Sequence, residues 1–496
     1  MRPDITATTA AATLPAIDGP GPGPNRSTDP AVQVVSLYAP QQRIHPRSVS
    51  GRFTQWRWAL VWLTQLAFYL TPWLQWNGRQ AVLFDLGARR FYIGPLLLYP
   101  QDFIYLTALL LLSAYALFLF TAVAGRLWCG YACPQTVYTE IFLWVERRIE
   151  GDRAARIKLD AGPWSAAKLG RRAAKHGAWA AIALWTGFSF VGYFTPIRSL
   201  GQAVLAGGLG PWELFWIPFY GLATYGNAGF LREQVCKYMC PYARFQSAMF
   251  DKDTLIISYD AARGEPRGSR SKKADPAALG LGACVDCGLC VQVCPTGIDI
   301  RRGLQYECIG CAACVDVCDG VMDKLGYARG LVRYATQNGL AQGWSQAQVL
   351  RRVLRPRVLV YATVLLAIAT AVGWSLATRA PFKADLVRDR AALARQVDDG
   401  EIENVYRLQL MNATERLQRY AVTVDGLAGL HLAQPMALTL APAEARWVTL
   451  ALRLPPAAAA GLAPGAHAMR FTITRLAGDG DAARPVHEKS TFVLPR

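Results

Sequence analysis

The sequence predicts a multi-domain membrane protein: a region of five apolar transmembrane α-helices, a small cysteine-rich α+β module and an all-β tail. Three observations carry that reading. Five charge-free apolar stretches occupy residues 58–78, 103–125, 177–197, 214–231 and 358–378. Two runs of four cysteines lie between the fourth and fifth stretches. Beyond residue 380 there is no long apolar run, only short segments in which apolar and polar residues alternate.

A helix needs about 20 apolar residues to cross ~30 Å of hydrocarbon, and each stretch is close to that length. Composition agrees, with 52% hydrophobic and 18% charged residues. Trp56, Trp58, Trp73, Trp76, Trp212 and Trp216 flank the stretches, where aromatic side chains anchor at the membrane surface. Residues 1–35, rich in Ala, Thr, Pro and Gly, read as a disordered tail without the apolar core of a signal peptide. The net charge of +18 is uneven, because residues 381–496 hold 14 basic and 12 acidic side chains. Arg147, Arg148, Arg153, Arg156, Lys158, Lys168, Arg171, Arg172 and Lys175 crowd the connection between the second and third stretches, and a second basic group precedes the fifth. The other two connections are poor in Lys and Arg. This is the positive-inside pattern. It accounts for the charge without nucleic acid and makes the lipid bilayer the first partner. The expected topology is multi-pass, with the N-terminus and cysteines cytoplasmic and the tail on the opposite, extracytoplasmic side. The expected parts are the disordered tail 1–35, a four-helix membrane region 36–250, the cysteine module 251–330, a connector with the fifth helix 331–380, and the sandwich 381–496.

The cysteine runs define the chemistry. "CVDCGLCVQVCP" supplies Cys284, Cys287, Cys290 and Cys294, and "CIGCAACVDVC" supplies Cys308, Cys311, Cys314 and Cys318. Both follow the C-x2-C-x2-C-x3-C spacing of bacterial ferredoxins, in which three thiolates curl round one 4Fe–4S cluster and the fourth ligates the other. The module is therefore read as ferredoxin-like with two 4Fe–4S clusters. Cys284, Cys287, Cys290 and Cys318 are assigned to the first cluster, and Cys308, Cys311, Cys314 and Cys294 to the second. Zinc ribbons use paired C-x2-C units, not two tandem four-cysteine runs. The second run ends in Asp319 where the first has Pro295.

The remaining four cysteines form two C-x-x-x-C-P units, "WCGYACPQ" (Cys129, Cys133) and "CKYMCPYA" (Cys236, Cys240), each just past an apolar stretch. Pro134 and Pro241 disfavour helix at the preceding cysteine, leaving it free to turn. With the second and fourth helices adjacent, four thiolates meet in a soft site for Cu(I), Zn(II) or a further iron–sulfur cluster, and Met239 offers a thioether. Buried thiols packing at helix ends are the plain alternative. All twelve cysteines fall on the reducing side of the expected topology, which argues against disulfides. Five histidines, none in mid-membrane, argue against membrane haem, and there is no P-loop or dinucleotide fingerprint. His176 reads as an interfacial residue. In the tail, "NVYRLQL", "QRYAVTV", "MALTL", "RWVTLAL", "MRFTITR" and "STFVL" read as strands of an immunoglobulin-like sandwich without its disulfide, with a β-barrel as the alternative. Nothing in the tail looks catalytic, which suits a docking role.

Together, "SLYAPQQRIHPRSVSGRF", "WCGYACPQTVYTEIF", "CKYMCPYARFQSAMFD" and the paired cysteine runs resemble the FixG/RdxA/CcoG family, accessory proteins for assembly of cbb3-type cytochrome c oxidase. The resemblance covers the chain from about residue 36 onward and implies a bacterial cytoplasmic (inner) membrane, with the N-terminus and clusters cytoplasmic and the tail periplasmic. More distantly the N-terminal part is similar to NapH-like polyferredoxins. The family resemblance implies a cupric reductase that supplies Cu(I) to the oxidase, with Cys129, Cys133, Cys236 and Cys240 as the copper or redox site. It also implies a copper chaperone or transporter and oxidase assembly components as partners. An electron-transfer subunit coupled to membrane quinol and a redox-sensing interaction protein fit the same cysteines. The electron donor and oligomeric state are not legible in the sequence.

Overall fold

The computed structural model describes residues 43–496 except Lys273, Ala277, Ala391, Ala392, 477–484 and Arg496, and the side chains of Gln346 and Asp398. The expected disordered tail 1–35 lies outside the described residues.

The apolar stretches fall on helices Arg52–Leu70, Phe103–Ala124, Ala166–Val191, Pro211–Gly226 and Pro356–Ala377. Among the described residues two of these, Pro100–Ala124 (including a leading 3-10 turn) and Pro356–Ala377, are both long and apolar enough to cross a membrane. They pack against each other, and the Tyr105 hydroxyl meets Ser375 Oγ at 2.9 Å. The first helix differs from the 58–78 expectation: it begins six residues earlier and stops at Leu70. Pro72 has no N–H for the Phe68 carbonyl, which instead accepts from the Tyr193 hydroxyl at 2.8 Å. Pro211–Gly226 carries Pro218 internally and runs on into a π turn over Asn227–Leu231. It packs on Ala166–Val191 through Gly187, where a Cβ would lie 2.2 Å from the Ile217 carbonyl oxygen. Small residues are what allow such close helix contact in apolar surroundings.

A three-stranded antiparallel sheet, Val82–Asp85, Arg90–Ile93 and Leu96–Leu98, sits between the first two apolar helices and was not expected from sequence. It seats the tail. Leu97 and Tyr99 are buried against Met411, and the Tyr99 hydroxyl donates to the Asn412 carbonyl at 3.0 Å. Buried Asp102 pairs with Arg379 at 2.7 Å and Lys383 at 3.0 Å.

The tail folds as two antiparallel sheets. One runs His431–Leu432, Ala445–Leu454, Ile402–Asn412, Phe382–Arg388; the other runs Met436–Leu440, Gln418–Asp425, Gly465–Leu476, Val486–Leu494. Tyr406, Leu408 and Leu410 alternate inward from one sheet and meet Tyr420, Phe471, Ile473 and Phe492 from the other. Alternate residues facing one interior are the signature of stacked sheets. All six expected strand segments lie in these sheets, and the tail is an immunoglobulin-like domain.

In the cysteine module, Ile256–Tyr259 pairs antiparallel with Val332–Ala335 and brackets both runs. The closing strand thus lies past residue 330. Each run feeds a helix, Leu289–Gln292 and Ala313–Leu325, entered through a left-handed residue, Gly288 or Ala312. The left-handed entry turns the chain sharply enough for neighbouring cysteines to face one point.

Candidate metal centre

Two cysteine-lined cavities lie side by side in the module. Cys284, Cys287, Cys290 and Cys318 line the first, among Val285, Leu289, Val317, Val321 and Leu331. Cys294, Cys308, Cys311 and Cys314 line the second, with Pro295, Ile298, Ile300 and Ile309, and Cys290 reaches it from the first. In each cavity three thiols come from one run and the fourth from the other. Sulfur donors in a dry apolar lining fit iron–sulfur clusters, whose bound thiolates need no water. Burial pushes the Cys308 and Cys318 thiols up to about 12, and the Cys290 thiol up to about 11. Such thiols stay protonated until a metal displaces the proton.

The two C-x-x-x-C-P units meet beside the second cavity. Cys129 lies on the short helix Leu127–Tyr131, and Cys133 turns to extended backbone at φ −61°, ψ 129° ahead of helix Pro134–Glu150. Cys236 lies in the π turn Val235–Met239, and Cys240 is extended at φ −75°, ψ 112° before helix Pro241–Met249. Each proline therefore opens a new helix, and the cysteine before it forms the corner. Gln135 ties the first unit to the segment leading into the second, its Nε2 donating to the carbonyls of Asn227 at 2.9 Å and Arg232 at 3.1 Å. Burial pushes Cys129 up to about 11 and Cys236 up to about 12, and the neighbouring thiols add to both rises. Met239, the suggested thioether, is 59% exposed. Among the described residues no three His, Cys, Asp or Glu side chains are spaced to hold a single metal ion. That holds for the ferredoxin-spaced cysteines as well as for this group.

Both units touch the second cavity directly. Cys129 and Cys236 pack on the cluster of Val293, Ile309, Cys311 and Ala313. A Cβ on Gly130 would lie 2.8 Å from the carbonyl carbon and oxygen of Gly310 and from the Ile309 oxygen. Gly310, at φ 71°, itself has Arg126 backbone 3.1 Å from where its Cβ would be. Lys237 Nζ, inside the second unit, donates to the Thr296 carbonyl at 2.8 Å, two residues past Cys294. The sequence alone does not single out Gly130 or Lys237. A glycine in a metal-motif gap is the usual signal of close backbone approach, and here the approach is to another loop.

Two further devices hold this arrangement. Asp316, between Cys314 and Cys318, accepts from Phe53 N at 3.1 Å and from Thr54 N and Oγ1, each at 2.7 Å, and so caps the first apolar helix from the cysteine module. Upstream of Cys236, Glu146 pairs with Arg156 at 2.9 Å and Arg232 at 2.7 Å, while Lys175 pairs with Glu150 at 2.9 Å, all buried. Lys175 and Arg232 also lie over the Trp179 ring, at 4.9 and 5.6 Å. His176 donates to or accepts from the Tyr225 hydroxyl at 2.8 Å and stacks on Phe230, so its role is packing.

Known proteins match along most of the chain. Residues 231–337 match the 4Fe-4S dicluster domain, residues 106–151 a 4Fe-4S binding domain, and residues 372–495 the IG-like fold at the C-terminal of FixG. Nitrogen fixation protein FixG of Rhizobium meliloti is 41% identical over 79% of this chain and 80% of its own length. Protein RdxB of Cereibacter sphaeroides is 38% identical over 94% of this chain and 99% of its own. The ferredoxin-type protein NapH of Haemophilus influenzae is more distant, 25% identical over 38% of this chain and 66% of its own.

Proposed function

Because this chain belongs to the FixG/RdxA family of iron–sulfur proteins, we propose that it is a membrane-bound cupric reductase that makes Cu(I) for assembly of a cbb3-type cytochrome c oxidase. The observation that carries the reading is the contact of the C-x-x-x-C-P thiols with the second ferredoxin-type cavity. In this reading five helices cross the cytoplasmic membrane, the cysteines face the cytoplasm and the sandwich faces the periplasm. The sandwich docks oxidase assembly components, and a copper chaperone or transporter exchanges metal with the thiols.

When bound, a 4Fe–4S cluster supplies a one-electron store. Cys284, Cys287, Cys290 and Cys318 hold the first; Cys294, Cys308, Cys311 and Cys314 hold the second. Cys129, Cys133, Cys236 and Cys240 receive the copper substrate. Binding of copper displaces the thiol protons, Cu(II) then takes one electron from the reduced centre, and release of Cu(I) breaks its bonds to sulfur and returns the protons to the thiolates. Soft thiolates favour the Cu(I) product, which adds driving force. Each ~59 mV of potential difference is worth tenfold in this one-electron step.

The test is a titration of anaerobically reduced protein with Cu(II) in the presence of a Cu(I) chelator. The reading expects one Cu(I) captured per electron lost from the iron–sulfur absorbance. Iron–sulfur centres that stay reduced would sink it. A second reading is favoured by the 4Fe-4S binding-domain match over residues 106–151, which contains Cys129 and Cys133. There, the C-x-x-x-C-P cysteines hold a further cluster and pass electrons to or from membrane quinol. Iron analysis separates the two, at about eight against about twelve iron atoms per chain.

A further inference from the structure

We propose that a polar cavity beside the second cysteine set is a binding site for a phosphate group, held by Arg47, Arg57 and Arg147 and borne by a phospholipid or by free phosphate. The site needs neither iron nor copper chemistry, so its failure and that of the cupric reductase reading are separate.

The cavity measures about 220 Å³, and several segments of the chain meet round it. The first apolar helix supplies Arg57 and Trp58, and the helix after the first C-x-x-x-C-P unit supplies Glu140 and Arg147. Val293 and Ala313 come from the two cysteine runs. Arg47 also lines it, its backbone N–H fixed on the Gln292 carbonyl at 2.8 Å.

Arg57 is the anchor. It is 6% exposed, yet among the described residues its guanidinium makes no hydrogen bond: Nε is enclosed without a partner, and Nη1 stands 3.9 Å from Glu140 Oε2. The other buried arginines, Arg126, Arg156 and Arg232, each donate to a carbonyl or carboxylate oxygen. A guanidinium offers five N–H donors, and buried donors nearly always find acceptors. Glu140 does not serve Arg57 alone, because it also faces Arg147 at 3.4 Å. Asp316, the other carboxylate acting on Arg57, accepts from Phe53 and Thr54 instead.

Three arginines against Glu140 leave positive charge in excess on the cavity wall. Water would satisfy the donors but not the charge, and an unbalanced buried cation is costly. A phosphate group answers both needs, since it carries negative charge and its oxygens accept the guanidinium fork two at a time. Those oxygens point tetrahedrally, so arginines from three separate segments can each reach one, whereas the two oxygens of a carboxylate lie in one plane. Bound there, the group ties the ferredoxin-type module to the first apolar helix and to the helix that follows Cys133.

The test is calorimetric titration of the intact, iron-loaded protein in detergent and phosphate-free buffer. The probes are inorganic phosphate and a short-chain phosphatidylglycerol, each compared with chloride at matched ionic strength. Arg57→Gln should weaken binding about tenfold or more, because the buried cation and its donors are lost. Arg47 is exposed, so Arg47→Gln spares the fold and should weaken binding about two- to fivefold. Arg171→Gln, an exposed change in the basic connection, should bind as the wild type. Binding of phosphatidylglycerol alone identifies a lipid site, and binding of inorganic phosphate identifies one open to the free anion. No binding of either probe, or unchanged affinity in either Arg57→Gln or Arg47→Gln, would overturn the proposal.

Discussion

Replacing Gly130 by alanine tests how the C-x-x-x-C-P segment is joined to the ferredoxin-type module. The added Cβ would sit 2.8 Å from three backbone atoms of Ile309 and Gly310. An ordinary contact is ~3.5 Å, so the loop must retreat by about 0.7 Å. Backbone on both sides leaves no flexible side chain to yield, and overpacking of this kind costs about 1–3 kcal/mol. Gly130 lies in a helix and does not have positive φ, so alanine gains back about 0.5–1 kcal/mol of backbone entropy. The net is about 1 kcal/mol against docking at mid-range, and about 2.5 kcal/mol at most, a factor of roughly 5–70 in the local opening equilibrium. Amide hydrogen exchange of the iron-loaded protein reads it directly: residues 308–313 and 127–131 should exchange faster by that factor. Gly170→Ala, where nothing lies within 4 Å of the new Cβ, is the control and should leave those segments unchanged. Wild-type exchange in Gly130→Ala would refute the close approach.

Three further outcomes are expected. Asp316→Ala removes the acceptor for Phe53 N, Thr54 N and Thr54 Oγ1. Each orphaned donor costs about 1–3 kcal/mol, so the thermal midpoint of the solubilised protein should fall while its iron content at low temperature is kept. Cys318→Ser should alter the same paramagnetic signal as Cys284→Ser, and Cys294→Ser the same signal as Cys308→Ser; pairing of Cys318 with Cys308 would contradict the exchange of ligands between runs. In the tail, burial raises the Glu403 carboxyl, but Arg453 at 2.8 Å and Arg395 at 2.7 Å outweigh it and hold its pKa below the ordinary value. A carboxyl depressed in the fold stabilises above its unfolded pKa of ~4.3 and loses that contribution as pH falls through the folded value. Calorimetry should therefore show the tail transition dropping below about pH 4, and Glu403→Gln should flatten that drop.

What could be read from sequence was what repeats locally. The cysteine spacings and the alternation along Tyr406, Leu408 and Leu410 each state their structure within a dozen residues. The corners at Cys133 and Cys240 were legible because proline acts on its immediate neighbour. What escaped depends on partners far apart in the chain. Gly130 meets Gly310, Lys237 meets Thr296, and Asp316 caps a helix that begins at Arg52. Nothing near any of them in sequence names the other. The strand Phe382–Arg388 was not singled out, although Phe382, Ala384 and Leu386 face the core with Lys383 and Asp385 between them in the same alternation. The first apolar stretch overran the helix end at Leu70 because hydropathy does not register the N–H that Pro72 lacks.

The central claim is that electrons leave through the C-x-x-x-C-P thiols, and one measurement addresses it most directly. The variant with Cys129, Cys133, Cys236 and Cys240 all changed to serine keeps both ferredoxin-spaced runs. Its iron–sulfur centres, reduced anaerobically, are offered either Cu(II) with a Cu(I) chelator or a small soluble dye. The account predicts dye reduction at the wild-type rate and almost no Cu(I). Cu(I) formed as fast as in the wild type would contradict it.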